Sequence, residues 1–295
     1  MTATIETHPS APENQYRVIN AVERARRALS PASDTPGLDA QTLLAEIMSQ
    51  PRSWLLAHPD AALNDDQWAR LVHSVRALEA GQPLPYVLGH WEFFWLDFEL
   101  TPDVLIPRPE TELLVEEAIR FLYTRSGLPQ RAADVGTGSG VIAVSLAKAS
   151  PGLTVLAVDL SRAALDVARR NALRHGLDNS ITFYQGCLLE AVRAPFDLIA
   201  ANLPYIPTLR LEGLSVAKHE PRLALDGGPE GLDTIRRLLA DVPRLVHHGS
   251  LILIEIEETQ GKALTRLVKK TLPKARLAIK PDLSGRDRLA VINIL

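Results

Sequence analysis

The chain has 295 residues, 46% of them hydrophobic and 23% charged, with a formal net charge of −3. That length points to two domains, or to one large α/β domain with an extension. The charge balance excludes a general nucleic-acid binder with a broad basic surface. Cys187 is the only cysteine, which excludes an internal disulfide and fits a reducing cytoplasm. The eight histidines have no cysteine cluster or ligand spacing beside them, so no metal site is expected. Neither a signal peptide nor a membrane span is expected, since the opening residues lack the basic, apolar and small-residue order and no apolar run is long enough.

Residues 1–14 carry Pro9 and Pro12 among polar residues and read as a loose tail. Val18, Ile19, Val22, Ala25 and Leu29 then recur at helical spacing. A second helix begins near Asp39 with Leu43, Leu44, Ile47 and Met48 on its face, a short third covers Trp54 to Ala57, and a fourth runs from Asn64 to Ala80. These make a helical domain over 15–82, assigned to docking of a substrate or partner. Pro83 and Pro85 mark the start of a linker over 83–105, in which the aromatic-rich run from Trp91 reads as a hairpin. A helix follows Leu105 to Glu112, with Pro109 suited to its first position.

From Ala132 the pattern becomes alternating β/α, which requires a parallel sheet with right-handed crossovers. Strands are expected at 132–135, 153–158, 181–185, 196–201, 251–256, 275–279 and 288–294, with helices at 141–149, 162–175, 232–246 and 261–272. No helix separates the last two strands, so the final strand should enter antiparallel.

Two stretches of this second half carry chemistry. Gly136, Thr137, Gly138, Ser139 and Gly140 follow the first strand, where glycines allow a tight turn and close approach of a ligand. The dinucleotide pattern needs a glycine at 141, where Val141 stands, so a pyrophosphate cradle is less favoured. Asp159, at the end of the next strand, is placed to accept two ribose hydroxyls. Together these imply a nucleoside. The second stretch is Asn202, Leu203, Pro204 and Tyr205, at the end of an apolar strand where α/β sheets bind ligands. The Asn202 side-chain oxygen and the Leu203 carbonyl can each accept one N–H of a planar amine or amide, Pro204 aims that carbonyl, and Tyr205 offers a face for stacking. A plain strand-to-loop turn accounts for the same residues.

The chain resembles the release factor glutamine methyltransferases. The resemblance rests on Pro85-Tyr86, Gly89, Glu92-Phe93, Ile106 to Glu112, Asp134 to Gly140, Asp159, Asn202 to Ile206, Glu220 to Gly228, Gly231-Leu232 and Gly285 to Arg288. It implies a seven-stranded Rossmann-like class I methyltransferase sheet over 106–295, preceded by a helical bundle and a hairpin. It also implies methyl transfer from S-adenosyl-L-methionine to a glutamine side-chain amide of a peptide chain release factor. Asn202, Leu203, Pro204 and Tyr205 then become the catalytic and substrate-binding residues, and residues 136–140, Asp159, Cys187, Leu188 and Asn202 the cofactor-binding ones. Two positions depart from the family: Leu203 replaces the first proline of Asn-Pro-Pro-Tyr, and Cys187 stands where an aspartate usually faces the adenine amino group. The segment 220–231 can close over the site or be a plain surface loop.

A monomer acting in the cytoplasm, without membrane or direct nucleic-acid contact, completes the expectation. Competing readings are a ribosomal-protein glutamine methyltransferase, a nucleic-acid adenine methyltransferase, and a scaffold that binds the cofactor without catalysis.

Overall fold

The structure, a computed structural model, describes residues 16–31, 33–128 and 130–295, so the tail expected over 1–14 lies outside it. Contacts divide the chain into one unit ending at Leu88 and a second from Gly89 to Leu295. The first is built from helices α1 (Val18–Leu29), α2 (Pro36–Met48), α3 (Arg52–Ala57), α4 (Asp65–Glu79) and α5 (Leu84–Leu88). Helix α1 buries Val18, Ala21, Ala25 and Leu29. Ile19, read as part of that stripe, is 55% exposed, because the small Ala21 occupies the arc that packs closest. Helix α4 starts at a reciprocal cap: the Gln67 N–H donates to Asn64 Oδ1 at 2.9 Å, and the Asn64 N–H to Gln67 Oε1 at 3.0 Å. Such a cap stabilises a helix by about 1 kcal/mol. Pro83 and Pro85, read as the start of a linker, instead flank the opening of α5. Proline is tolerated there because first-turn N–H groups have no intrahelical partner.

The second unit begins with a hairpin, β1 (His90–Phe93) and β2 (Leu96–Glu99). Phe93 and Phe98 are buried in the core of this unit, so the segment read as a linker belongs to it. There follow α6 (Thr111–Tyr123), β3 (Arg131–Val135), α7 (Val141–Ala149), β4 (Thr154–Asp159), α8 (Arg162–Arg174), β5 (Ile181–Gln185) and β6 (Phe196–Ala201). Three short elements, α9 (Thr208–Leu211), a 3-10 turn (Ser215–Lys218) and α10 (Arg222–Leu225), lead to α11 (Asp233–Asp241) and a second 3-10 turn (Val242–Arg244). The chain ends with β7 (Val246–Glu255), α12 (Gly261–Thr271), β8 (Arg276–Pro281) and β9 (Asp287–Asn293). Helix α6 starts at Thr111, two residues beyond Pro109, because the N–H groups of Thr111 and Glu112 first close turns onto Arg108 and Pro109. The helix expected to reach 246 ends at Asp241, and Val246 already belongs to β7.

The sheet has seven strands in the order β5-β4-β3-β6-β7-β9-β8, parallel from β5 to β7, with β9 antiparallel to both neighbours as expected. Both faces are covered. Leu198 and Ala200 of β6 enter a core shared with α6 and α7, whereas Ile199 and Ala201 enter the opposite core with α11 and α12. Strands β3, β4 and β5 step one way from the centre, and β6 begins on the other side of β3. That reversal opens a crevice at the carboxyl ends of β3 and β6, the usual ligand position in such sheets. The glycine loop and Asn202 are the segments that leave those two ends.

Candidate active site

A cavity of about 430 Å³ occupies this crevice. Gly136, Thr137, Gly138, Ser139, Asp159, Cys187, Leu188, Asn202, Leu203 and Pro204 line it, so most of the residues read from sequence meet there. Gly140 and Tyr205 do not line it. Gly140 is the turn before α7, where an added Cβ would sit 3.1 Å from the Ala168 side chain. Tyr205 turns its hydroxyl inward to Glu255 Oε1, 3.2 Å away.

The loop after β3 is held from below and from the side. Asp134, fully buried, accepts from the Thr137 hydroxyl (2.6 Å) and the Ala143 N–H (3.0 Å). Burial pushes its carboxyl up to about 7, against those two hydrogen bonds. Asn171, also buried, donates to the Ser139 carbonyl (2.8 Å) and ties this loop to the hairpin through Glu99. Asp159 accepts the Gly138 N–H at 2.9 Å and the Ser161 N–H at 2.8 Å, which aims its carboxylate along the cavity wall; burial raises its pKa.

Leu203, where the resemblance leads one to expect proline, is 3% exposed, and its Cδ2 lies 3.0 Å from where a Cβ on Gly136 would stand. This side chain packs against Gly136, which restrains the segment. Asn202 donates through Nδ2 to the Thr111 hydroxyl at 3.0 Å, and that hydroxyl donates to Glu255 Oε2 at 2.7 Å. Glu255 is 1% exposed, and burial pushes its carboxyl up to about 7, opposed by the bonds from Thr111 and Tyr205 and by Arg288 nearby. Burial, then the neighbouring Glu255, pushes the Tyr205 phenol up, so it stays neutral.

Gln260, 5% exposed, donates to the carbonyls of Tyr205 (2.9 Å) and Gly231 (3.0 Å). The two backbones approach so closely that a Cβ on Gly231, at φ +70°, would lie 2.1 Å from the Tyr205 oxygen. The segment 220–231 is therefore fastened rather than loose. Glu220 accepts from the Ile106 N–H (3.0 Å) and Arg108 (2.5 Å), the Gly227 N–H donates to the Ile206 carbonyl (2.9 Å), and Pro221, Leu223, Ala224 and Asp226 line the cavity.

At the other end Cys187 receives Arg237 Nη2 at 2.8 Å, and the same nitrogen reaches Glu190 at 2.7 Å. Sequence reading missed Glu255, Gln260 and Arg237 and gave Thr111 no role. One signal was present: Glu255 is a lone acid in the run Leu251 to Ile256, beside the strand that leads into Asn202. Among the described residues no group of acidic, histidine or cysteine side chains could hold a metal ion.

Two family models match the chain: PrmC N-terminal domain over residues 20–89 and Methyltransferase small domain over 111–216. The release factor glutamine methyltransferase of Moorella thermoacetica is 42% identical over 268 residues, covering 90% of this chain and 94% of its own length. The chain belongs to that family. The Coxiella burnetii member is 37% identical over 272 residues, covering 92% of this chain and 96% of its own. The N-terminal domain of human METTL16 in complex with SAH aligns with a TM-score of 0.52 at 15% identity, covering 86% of this chain and 94% of that one, a likeness of fold. Membership makes the chain a methyltransferase with a class I sheet and implies a cofactor of the S-adenosylmethionine type.

Proposed function

We propose that the chain transfers a methyl group from S-adenosyl-L-methionine to the side-chain amide nitrogen of a glutamine in a peptide chain release factor. One observation carries this reading: Asn202 and Leu203 share a cavity with the glycine loop and Asp159 at the point where the strand order reverses. An acceptor pair for an amide and a cradle for a nucleoside thus face one space. Relatives across most of the chain bear the name of that activity.

The residues fit the cofactor. A Cβ added at Gly138 would meet nothing within 4 Å, so the backbone there borders open space, and Asp159 turns a carboxylate toward the same cavity. Residues 136–140 and Asp159 would hold the nucleoside, and Cys187 and Leu188 would border the adenine. Bound there, the cofactor supplies an electrophilic methyl group.

The chain's own part is to prepare the nucleophile. An amide nitrogen is a poor one, because its lone pair is delocalised into the carbonyl. Asn202 Oδ1 and the Leu203 carbonyl each accept one of its N–H groups, which favours a pyramidal nitrogen with its lone pair directed into the cavity. Tyr205 stands outside the cavity lining, its hydroxyl held by Glu255, and supports the segment that carries the acceptor pair. Alkylation makes the nitrogen acidic, so the proton leaves without a strong general base, and no histidine or aspartate is assigned one.

Among the described residues no helix is long and apolar enough to cross a membrane. A cytoplasmic monomer meeting a translation factor directly, without nucleic acid, suits the mildly acidic composition. The test is transfer of labelled methyl from S-adenosylmethionine to a release factor, a ribosomal-protein mixture and DNA in separate reactions. Label on the release-factor glutamine supports the reading. Label confined to DNA or to ribosomal protein overturns it.

A further inference from the structure

We propose that Thr111 and Glu255 are positioning residues that decide which end of the Asn202 amide faces the substrate. The inference rests on the assignment of Asn202 as an acceptor for the glutamine amide. An asparagine side chain ends in an acceptor and a donor of nearly equal size, and a half-turn about its last bond exchanges them. Only the oxygen can take a substrate N–H. With the amino end forward, two donors would oppose each other and the substrate amide would be turned away. Something must therefore fix the rotation before substrate arrives.

The hydrogen-bond directions do so. Above about pH 7, where Glu255 is ionised, its carboxylate only accepts, so the single proton of the Thr111 hydroxyl is committed to Glu255 Oε2 at 2.7 Å. The oxygen of Thr111 then has only lone pairs to offer its other neighbour, and Asn202 must turn its amino group to it, at 3.0 Å. Its oxygen is left for the cavity that Asn202 lines. Glu255 is itself pinned from the other side, where Tyr205 donates to Oε1 at 3.2 Å. A single carboxylate thus orders both side chains of the motif.

A merely structural role accounts poorly for these residues. Thr111 opens α6, yet its hydroxyl leaves the helix and spans 144 positions of sequence to reach Glu255. Glu255 is 1% exposed at the end of a core strand, and among the described residues no lysine or arginine nitrogen lies within ion-pair distance of it. Burying a carboxylate without a paired charge is costly, and such groups are concentrated at functional sites.

The experiment compares Thr111→Val, Thr111→Ala and Thr111→Ser in steady-state methylation of a release factor, with Asn202→Ala and the double variant Thr111→Val/Asn202→Ala in single-turnover assays. Loss of the hydroxyl is expected to lower kcat about 10- to 100-fold, as a misplaced positioning group does, with the KM for S-adenosylmethionine within about 2-fold of wild type. Serine, which keeps the hydroxyl, should restore kcat to within about 3-fold. Because Thr111 acts through Asn202, the double variant should be no slower than Asn202→Ala alone. Thr111→Ala makes the same comparison should valine fail to fold. A wild-type kcat in Thr111→Val or Thr111→Ala, a serine variant as slow as the valine one, or a further loss in the double variant overturns the proposal. If Asn202→Ala is slow while Thr111→Val is not, this inference fails and the site assignment stands. If Asn202→Ala has wild-type activity, both fail.

Discussion

The two ends of the cavity are held by different physics. At the β6 and β7 end, Thr111, Glu255 and Gln260 are each at most 5% exposed, and their side chains hydrogen-bond to Asn202, to Tyr205 and to one another's segments. At the far end, Cys187 meets Arg237, whose ion pair with Glu190 has both partners more than half exposed. Exposed pairs contribute little, whereas removing one partner from a buried network leaves the others unsatisfied. The comparison teaches where this fold tolerates change. On the proposed reading, the end that would accept the substrate amide is held by buried contacts, and the end that would border the adenine, where Cys187 stands, rests on solvated ones.

The sharpest way to break the contrast is at Asn202. Asn202→Ala should lower kcat about 10²- to 10³-fold, the scale for loss of one preorganised polar group at a reacting centre, while calorimetry finds binding of S-adenosylmethionine little changed. Unchanged turnover would show that the buried end does not carry the chemistry.

Next comes pH. Asp134 and Glu255 titrate ordinarily at 3.8 and 4.5, and burial pushes both up to about 7. Between those values the folded chain holds protons that the unfolded chain has released. Their contribution to stability is therefore fully present below about pH 4 and is lost as pH rises through about 7, a change of a few kcal/mol. Denaturant unfolding from pH 5 to pH 8 should show this decline, and Glu255→Gln should flatten part of it. A decline of the same size in that variant would exclude Glu255 as a source.

Gly231 probes the same end through backbone alone. Gly231→Ala forces a side chain into a left-handed conformation against the Tyr205 carbonyl, and should cost about 2 kcal/mol or more in chemical unfolding. Its kcat should fall as the Tyr205 segment shifts. The smallest effect belongs to the exposed end: Cys187→Ser should leave kcat unchanged and move the KM for S-adenosylmethionine by less than about 3-fold, since the partner guanidinium is already solvated. A large change there would place the two ends on an equal footing.

The sequence by itself determined what depends on neighbours along the chain. Strands β5 and β6 run over the residues their apolar patterns indicate, and the β/α alternation, the antiparallel last strand, the glycine loop and the acid after β4 all follow from local spacing. Asn202 was legible because it directly follows a strand that is apolar apart from Asp197. Tertiary structure alone decided what depends on residues meeting across the fold. Leu203 finds its restraint in the side of Gly136, Tyr205 turns its hydroxyl away from the cavity, and the segment near Gly231 is fastened by a glutamine from another element. The Asn202–Thr111–Glu255 chain joins positions 91 and 144 apart, each unremarkable in its own stretch. Local patterns set which residues can form a strand or a helix; only the packed sheet brings the ends of β6 and β7 beside the start of α6, and the direction of a hydrogen bond is settled by the partner it meets there.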